Sequence, residues 1–500
     1  MTRILAFLVV FGVLIGGVLW MASAALSRAT ERTVTYQYIA DALDALSARP
    51  NQVTWQEPVT DLVRAVTPGD KALLGAAMTE AWSVLALAQH TGDTSILRDS
   101  FSGVAQERAE QSVRDAGNGG QMVVLSQQAR PQFYHLDGSV FQAEVSMRVA
   151  RFVADGDDLA YFELVEDRAV TTLLNETNGW RIYAHERTGA APIVSAQPGW
   201  TGAPLAGLNY YPAAAPWRDF WPAFDENVIA QDFARISDLG GTAVRVFLTA
   251  DYFADVDTQQ AALDRLTTLL VLAEGAGLQV MPTLFDLKPT FDPAGWAQDY
   301  TTLRAVLPVL AASPAVTIVD LKNEPDLDFA AHGRPQILAW LITMATLARA
   351  EAPSLALTIG WSSADFALEL AEILDVVSYH DYADLSTATA RLEAVQAATE
   401  LPVMVTEIGV SSYSMALGLP SSPAEQAHDL AARLEALEKA DGLFVWTLYD
   451  FPNVDATAVG SSPWVKRLQA RFGLFTADGT AKPSAEVVQQ AFEQLTANRD

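Results

Sequence analysis

Hydrophobic and polar positions follow two different periods in the two halves of the chain. From Val140 to Val153 they alternate. Phe141, Ala143, Val145, Met147 and Val149 fall on one face, and Gln142, Glu144, Ser146 and Arg148 on the other. That period of two predicts a half-buried antiparallel strand. DLAYFELVEDRAVTTLL and GWRIYAHER extend the same sheet, and DKALLGAAMTEAWSVLALAQHTG before it has apolar residues at helical spacing. Residues 58–190 therefore read as an α+β domain, helices first and strands afterwards, with 31–57 as a helical stem before it. The single histidines His135 and His185 read as structural residues of this domain.

A Gly- and Pro-rich stretch, with its linker at 191–204, ends that pattern. After it, short continuous apolar runs alternate with amphipathic stretches: AGLNYYP, TAVRVFL, LQVMPTLFD, VTIVDLKNEP, LALTIGWSS, VVSYHDY, PVMVTEIG and GLFVWTLYDF. Apolar strands joined by helices mean a parallel sheet covered on both faces. Eight such units within 205–495 predict a (β/α)8 TIM barrel, with a helix after each of the first seven strands and SAEVVQQAFEQL after the last. A doubly wound open sheet would carry a Gly-rich phosphate loop after its first strand, and GLNYYP has none.

Residues 1–30 change the picture of where this barrel works. Arg3 precedes an uncharged apolar run from Ile4 to Trp20 that continues to Leu26, with a small-residue Ala22-Ser23-Ala24 inside it. This pattern fits a cleaved secretory signal or an uncleaved anchor long enough to span a bilayer. Either predicts an exported protein, periplasmic or at the cell surface, with the membrane as partner through this segment. The chain has 500 residues, 50% apolar and 18% charged, which suits two packed domains. Its net charge of −28 argues against a nucleic-acid partner. The absence of cysteine excludes disulfides and thiol catalysis.

In a TIM barrel, function collects at the C-terminal ends of the strands. The fourth run ends in Asn323-Glu324-Pro325, the seventh in Glu407, and the sixth in His380 and Tyr382. The second carries Arg245 and the eighth Trp446. Two carboxylates across a narrow mouth suit glycoside cleavage, one as proton donor and one as nucleophile or base. Pro325 is expected to keep Glu324 extended. The plainer readings are exposed turn carboxylates or ion-pair partners for Arg245, a core histidine at His380, packing for Tyr382, and barrel filling for Trp446, Trp361 and Tyr211. Those three aromatics are alternatively sugar platforms. No HExxH occurs and the histidines do not cluster, so neither a metal nor another cofactor is expected.

With these residues in these strands, residues 205 to about 490 resemble a clan A glycoside hydrolase of the cellulase type, a family 5-like barrel that includes β-glucanases and mannanases. The resemblance implies Glu324 as acid/base, Glu407 as nucleophile, Arg245 and Tyr382 supporting Glu407, and Asn323 on a sugar hydroxyl. Double displacement would retain configuration, with the carboxyls about 5 Å apart and Glu324 raised in pKa by burial and by Glu407. The family's third-strand histidine is replaced here by Phe285 and Asp286, which leaves the glycan open. Helices followed by a curved antiparallel sheet similarly resemble the NTF2-like fold in the N-terminal domain. A polysaccharide or oligosaccharide is the expected substrate, and a protein partner of that domain is unassigned. A non-catalytic tethered glycan-binding protein and a transglycosylase are the alternatives.

Overall fold

In the computed structural model, Thr67 opens the first helix, α1 (Pro68–Thr91), with a capping box. The Thr67 hydroxyl accepts from the Asp70 N–H, and Asp70 accepts from the Thr67 N–H in return. Gly92, in the left-handed region at φ 73°, ends the helix. Leu74, Met78, Trp82 and Leu85 make its buried stripe. The structure describes residues 53–116, 120–177, 179–194, 196–413 and 422–497. The expected signal or anchor at 1–30 and residues 31–52 of the expected stem lie outside them. The described chain divides into two compact units, one of residues up to Val153 and Val165–Ala191, the other of Ala154–Leu164 and the chain from Pro192 onward.

The first unit is a five-stranded sheet in the order β1 (Val53–Trp55), β2 (Gly120–Tyr134), β3 (Val140–Asp155), β4 (Asp158–Glu176) and β5 (Gly179–Pro192), with α1 and α2 (Gly103–Ala116). The end of the expected stem is thus a strand, not a helix. Val53 to Trp55 pair in parallel with Gln127 to Ala129, Val53 is buried, and Trp55 packs edge-on against Phe141. β-Branched and aromatic side chains gain more on that sheet than in a helical turn. All five inward residues of β3 are buried. His185 is packed on Trp82 and bonded to Thr171, and burial lowers its pKa to about 4, so it is a neutral packing residue. Among the described residues α1 alone is long and apolar enough to cross a membrane, and it is mostly buried here.

The second unit contains a closed barrel of eight parallel strands. They are β6 (Leu205–Asn209), β7 (Ala243–Thr249), β8 (Gln279–Asp286), β9 (Ile318–Asn323), β10 (Ala356–Trp361), β11 (Val377–His380), β12 (Val403–Ile408) and β13 (Gly442–Trp446). Helices follow every strand except β10. Residues 362–376 form turns and one short 3-10 segment instead. Leu370, left-handed at φ 61°, interrupts any helix there, and Phe366 is drawn onto Trp361 and Phe329.

Each strand gives one residue to the floor of the barrel: Leu205, Ala243, Met281, Ile318, Ala356, Val376 (just before β11), Met404 and Phe444. Large and small side chains interleave, because Phe444 fills the space Gly207 leaves. A Cβ on Gly207 would stand 2.2 Å from the Phe444 ring. Gly207→Ala is therefore expected to destabilise the protein by about 1–3 kcal/mol through overpacking. Chemical denaturation should show a lower midpoint, and an unchanged midpoint would mean that the floor can yield.

Candidate active site

Two residues beyond the floor, on the same inward face of each strand, stand Gly207, Arg245, Thr283, Asp320, Thr358, Ser378, Thr406 and Trp446. This layer is largely polar, and Arg245 organises it. Its side chain is fully buried, and all five of its N–H donors are used. Nε and Nη2 donate to Asp320 Oδ2 at 3.2 and 2.6 Å. Nη1 donates to Asn209 Oδ1 at 3.0 Å and to Glu407 Oε2 at 3.3 Å, and Nη2 also to Asn323 Oδ1 at 2.8 Å. Asp320, equally buried, accepts in addition from Thr283 Oγ1 at 2.9 Å and from the Gly360 N–H at 2.9 Å.

Glu407 and Glu324 stand one step above this layer. Glu407 receives the Tyr382 hydroxyl at 2.7 Å as well as Arg245, and its backbone carbonyl accepts from the Asp381 N–H. His380 Nδ1 lies 2.9 Å from Glu324 Oε1 and 3.9 Å from Glu407 Oε2. One carboxylate oxygen from each glutamate and a ring nitrogen of His380 all lie within 4.8 Å of one another. These three groups are also the described residues with the spacing to hold a cation. The positive charge already in contact with Glu407 is the Arg245 guanidinium.

Glu324 departs from the sequence expectation in two ways. It is not extended: φ 47° and ψ 52° place it in the left-handed region. Pro325 does exclude the right-handed helical conformation, but the chain must also turn sharply into the 3-10 segment Pro325–Asp328. The Glu324 N–H donates to Gly360 O at 2.7 Å, and its carbonyl accepts from Leu327, which fixes the turn. Such a conformation costs about 1–3 kcal/mol for a residue with a side chain and persists where its surroundings over-determine it.

Its pKa is also opposite to the expectation. Burial pushes Glu324 up, but the His380 hydrogen bond, the His380 charge, Arg245 and Lys322 together bring it below its ordinary value. Glu407 is raised, by burial first and by the Glu324 charge, against His380, Arg245 and Tyr382. The Tyr382 residue is 41% exposed, but its hydroxyl is buried against Glu407, and that burial and the Glu407 charge hold the phenol well above its usual range.

The remaining sequence candidates sit close by in different roles. Asn323 is anchored by its oxygen to Arg245, which leaves its NH2 for a ligand. Tyr211, Trp361 and Trp446 are all buried, so they form walls of the mouth, not exposed sugar platforms. Trp446 packs among Tyr211, Phe247 and Phe451, and the Trp446–Thr447 peptide is cis. The indole N–H groups of Trp361 and Trp446 have no partner among the described residues. At the third strand's end, Tyr211 donates to Asp286 Oδ2 at 3.1 Å, and burial raises the Asp286 pKa. Sequence reasoning missed Asp320 and Asn209. The signal for Asp320 was a carboxylate inside VTIVDL, a run otherwise buried on both faces.

Removing Asp320 leaves Arg245 buried beside too little negative charge. Asp320→Ala is expected to cost about 3–5 kcal/mol and to lower the thermal midpoint, even though Asp320 touches neither Glu324 nor Glu407. A midpoint like that of the wild type would show that Asn209, Asn323 and Glu407 suffice to hold the guanidinium.

No family model matches the chain, and no curated protein matches it. Solved structures do. A GH5_18 variant from Streptomyces cattleya, in complex with Manb1-4GlcNAc, is 21% identical, with a TM-score of 0.50 over 60% of this chain and 82% of that one. GH5_18 from the same organism in complex with GlcNAc gives 22% and 0.49 over 60% and 82%. An exo-beta-1,4-mannosidase from Opitutaceae bacterium strain TAV5 gives 21% and 0.49 over 59% of this chain. The present chain spans 60% of that mannosidase. At these identities the likeness is one of fold: the second unit has the (β/α)8 barrel architecture found in GH5-like glycoside hydrolases.

Proposed function

We propose that the barrel is a retaining glycoside hydrolase that cleaves β-glycosidic bonds of an oligosaccharide or polysaccharide. The observation that carries this reading is the Glu324–Glu407 pair at the ends of the fourth and seventh strands, with carboxylate oxygens within 4.8 Å. Carboxyl groups about 5 Å apart suit double displacement, whereas inversion needs roughly 6.5–9.5 Å to admit a water between them. Glu407, held by Arg245 and Tyr382, attacks the anomeric carbon. Glu324 protonates the leaving oxygen and then takes a proton from the water that releases the glycosyl enzyme. The Asn323 NH2 is a donor that a sugar hydroxyl would satisfy.

Two like charges this close do not both ionise freely, so over a middle pH range the pair holds one proton. The contacts in the structure favour that proton on Glu407, while cleavage needs it on Glu324. A leaving oxygen that accepts from Glu324, and positive charge developing at the anomeric carbon beside Glu407, both favour the productive placement.

Hydrolysis of a panel of β-glucans, mannans and xylans tests the reading. Glu324→Ala is expected to lower kcat on the polymer cleaved by about 10²–10⁴-fold, the usual worth of a general acid, and Glu407→Ala by no less. Azide should rescue Glu324→Ala to a glycosyl azide of retained configuration and Glu407→Ala to the inverted one. No hydrolysis of any polymer, with tight binding to one, would instead make the barrel a glycan-binding protein.

His380 lowers both carboxyls. Without it, each glutamate keeps its proton to higher pH, so the singly protonated pair exists over a more alkaline window. The bell of kcat/KM against pH for His380→Ala should therefore move upward on both limbs. A bell that falls in height without moving would assign His380 to packing alone.

A further inference from the structure

Tyr382 reaches Glu407 from a stretch of chain that lies beyond the end of its strand. β11 stops at His380, and its pairing with β12 shifts register between Tyr379 and His380. Such irregularities end a ladder or re-aim the side chains beyond it. Past that point one ladder-like bond remains, from the Asp381 N–H to Glu407 O at 2.9 Å. The Tyr382 ring is partly exposed and meets Phe472 edge-on at 6.1 Å between ring centres. Its phenol nevertheless donates to Glu407 Oε1 at 2.7 Å. A side chain with that freedom stays on target only if its backbone is fixed from elsewhere.

Two arginines fix it, both from helices outside the barrel. Arg391, in the helix Ala388–Ala397, forks onto the Asp381 carboxylate: Nε donates to Oδ2 at 3.0 Å and Nη2 to Oδ1 at 2.7 Å. A fork of this kind is a strong, charge-assisted pair, and it balances the one carboxylate. Arg433, in the helix Pro423–Ala436 after β12, brings a second guanidinium that charge balance does not require. Its Nη1 donates to Asp381 Oδ1 and, at 3.1 Å, to Asp381 O, and its Nη2 donates to Ala383 O at 2.8 Å. The carbonyls on either side of Tyr382 are thus gripped by one rigid, planar group. Asp381 and Arg433 are both buried, so water competes little for these bonds.

We infer that Arg433 is a positioning residue of the active site: by holding the Asp381 and Ala383 carbonyls it aims the Tyr382 hydroxyl at the nucleophile. This inference rests on the glycosidase reading and adds to it a helix residue that bonds neither glutamate.

The test is a double-mutant cycle on the polymer of the panel that the wild type cleaves. Lysine keeps the charge of Arg433 but lacks the planar fork that spans two carbonyls. Arg433→Lys is expected to lower kcat and kcat/KM together by about 10–10²-fold, the scale of a 1 Å misplacement. Added to Tyr382→Phe, the same substitution should lower kcat no further, because the bond it aims is already gone. Losing that bond raises Glu407, which keeps the last proton of the free pair. The alkaline limb of kcat/KM against pH should therefore move upward in Arg433→Lys and in Tyr382→Phe alike, with the acid limb in place. Asp381→Asn, which keeps the side chain's volume, should repeat the pattern and serves if Arg433→Lys fails to fold. Losses that multiply in the double variant, or a lower thermal midpoint with wild-type kcat and pH profile, would make Arg433 a structural residue only and leave the glycosidase reading intact. No hydrolysis by the wild type would overturn the glycosidase reading and this inference with it.

Discussion

An arginine buried among the strands of a barrel is stable only if every one of its donors is answered. Arg245 meets that condition through Asp320, Asn209, Asn323 and Glu407, which come from three different strands, β9, β6 and β12. The consequence is geometric. Because the same guanidinium holds the nucleophile candidate and the residue next to the acid candidate, the spacing between Glu324 and Glu407 is set from below by the barrel itself. Gly360 shows how little slack remains: a Cβ there would stand 2.9 Å from Arg245 Nη2, 3.0 Å from Asp320 Oδ2 and 3.2 Å from His380 Nε2. The apolar floor resists collapse, the ionic layer above it fixes register between strands, and the carboxylates stand on that layer.

Backbone strain is distributed accordingly. Among the described residues, five without a glycine's freedom have left-handed φ: Trp217, Phe285, Leu287, Glu324 and Leu370. Three of them, Phe285, Leu287 and Glu324, lie at or just past the C-terminal ends of strands β8 and β9. None lies at the floor. Steric strain at about 1–3 kcal/mol each is tolerated where packing below is rigid and loops above must be aimed.

Much of this was legible in the chain. Continuous apolar runs gave all eight barrel strands, and their last residues gave both glutamates, His380, Tyr382 and Arg245. Alternation in β3 placed five residues correctly inside. What escaped had physical reasons. Val53–Trp55 pairs with a strand more than seventy residues away, and local periodicity carries no trace of that. The missing fifth helix depends on Phe366 meeting aromatics from two other segments. Proline before a turn excludes one backbone region without choosing between the others, so the left-handed Glu324 could not be read from Pro325. Asp320 was visible as a letter in a buried run, but its partner Arg245, 75 residues earlier in the chain, was not.

The proton placement shows why a site's titration is harder to read than its membership. Burial pushes both glutamates up, and the Glu324 charge raises Glu407 further. The donors are partly shared: His380 and Arg245 lower both carboxyls, while Tyr382 bonds Glu407 and Lys322 acts on Glu324. Together they leave Glu324 below its ordinary value and Glu407 above it, so the free site favours the proton on Glu407. The double displacement proposed above needs that proton on Glu324, and a glycosyl group between the carboxylates is what would move it.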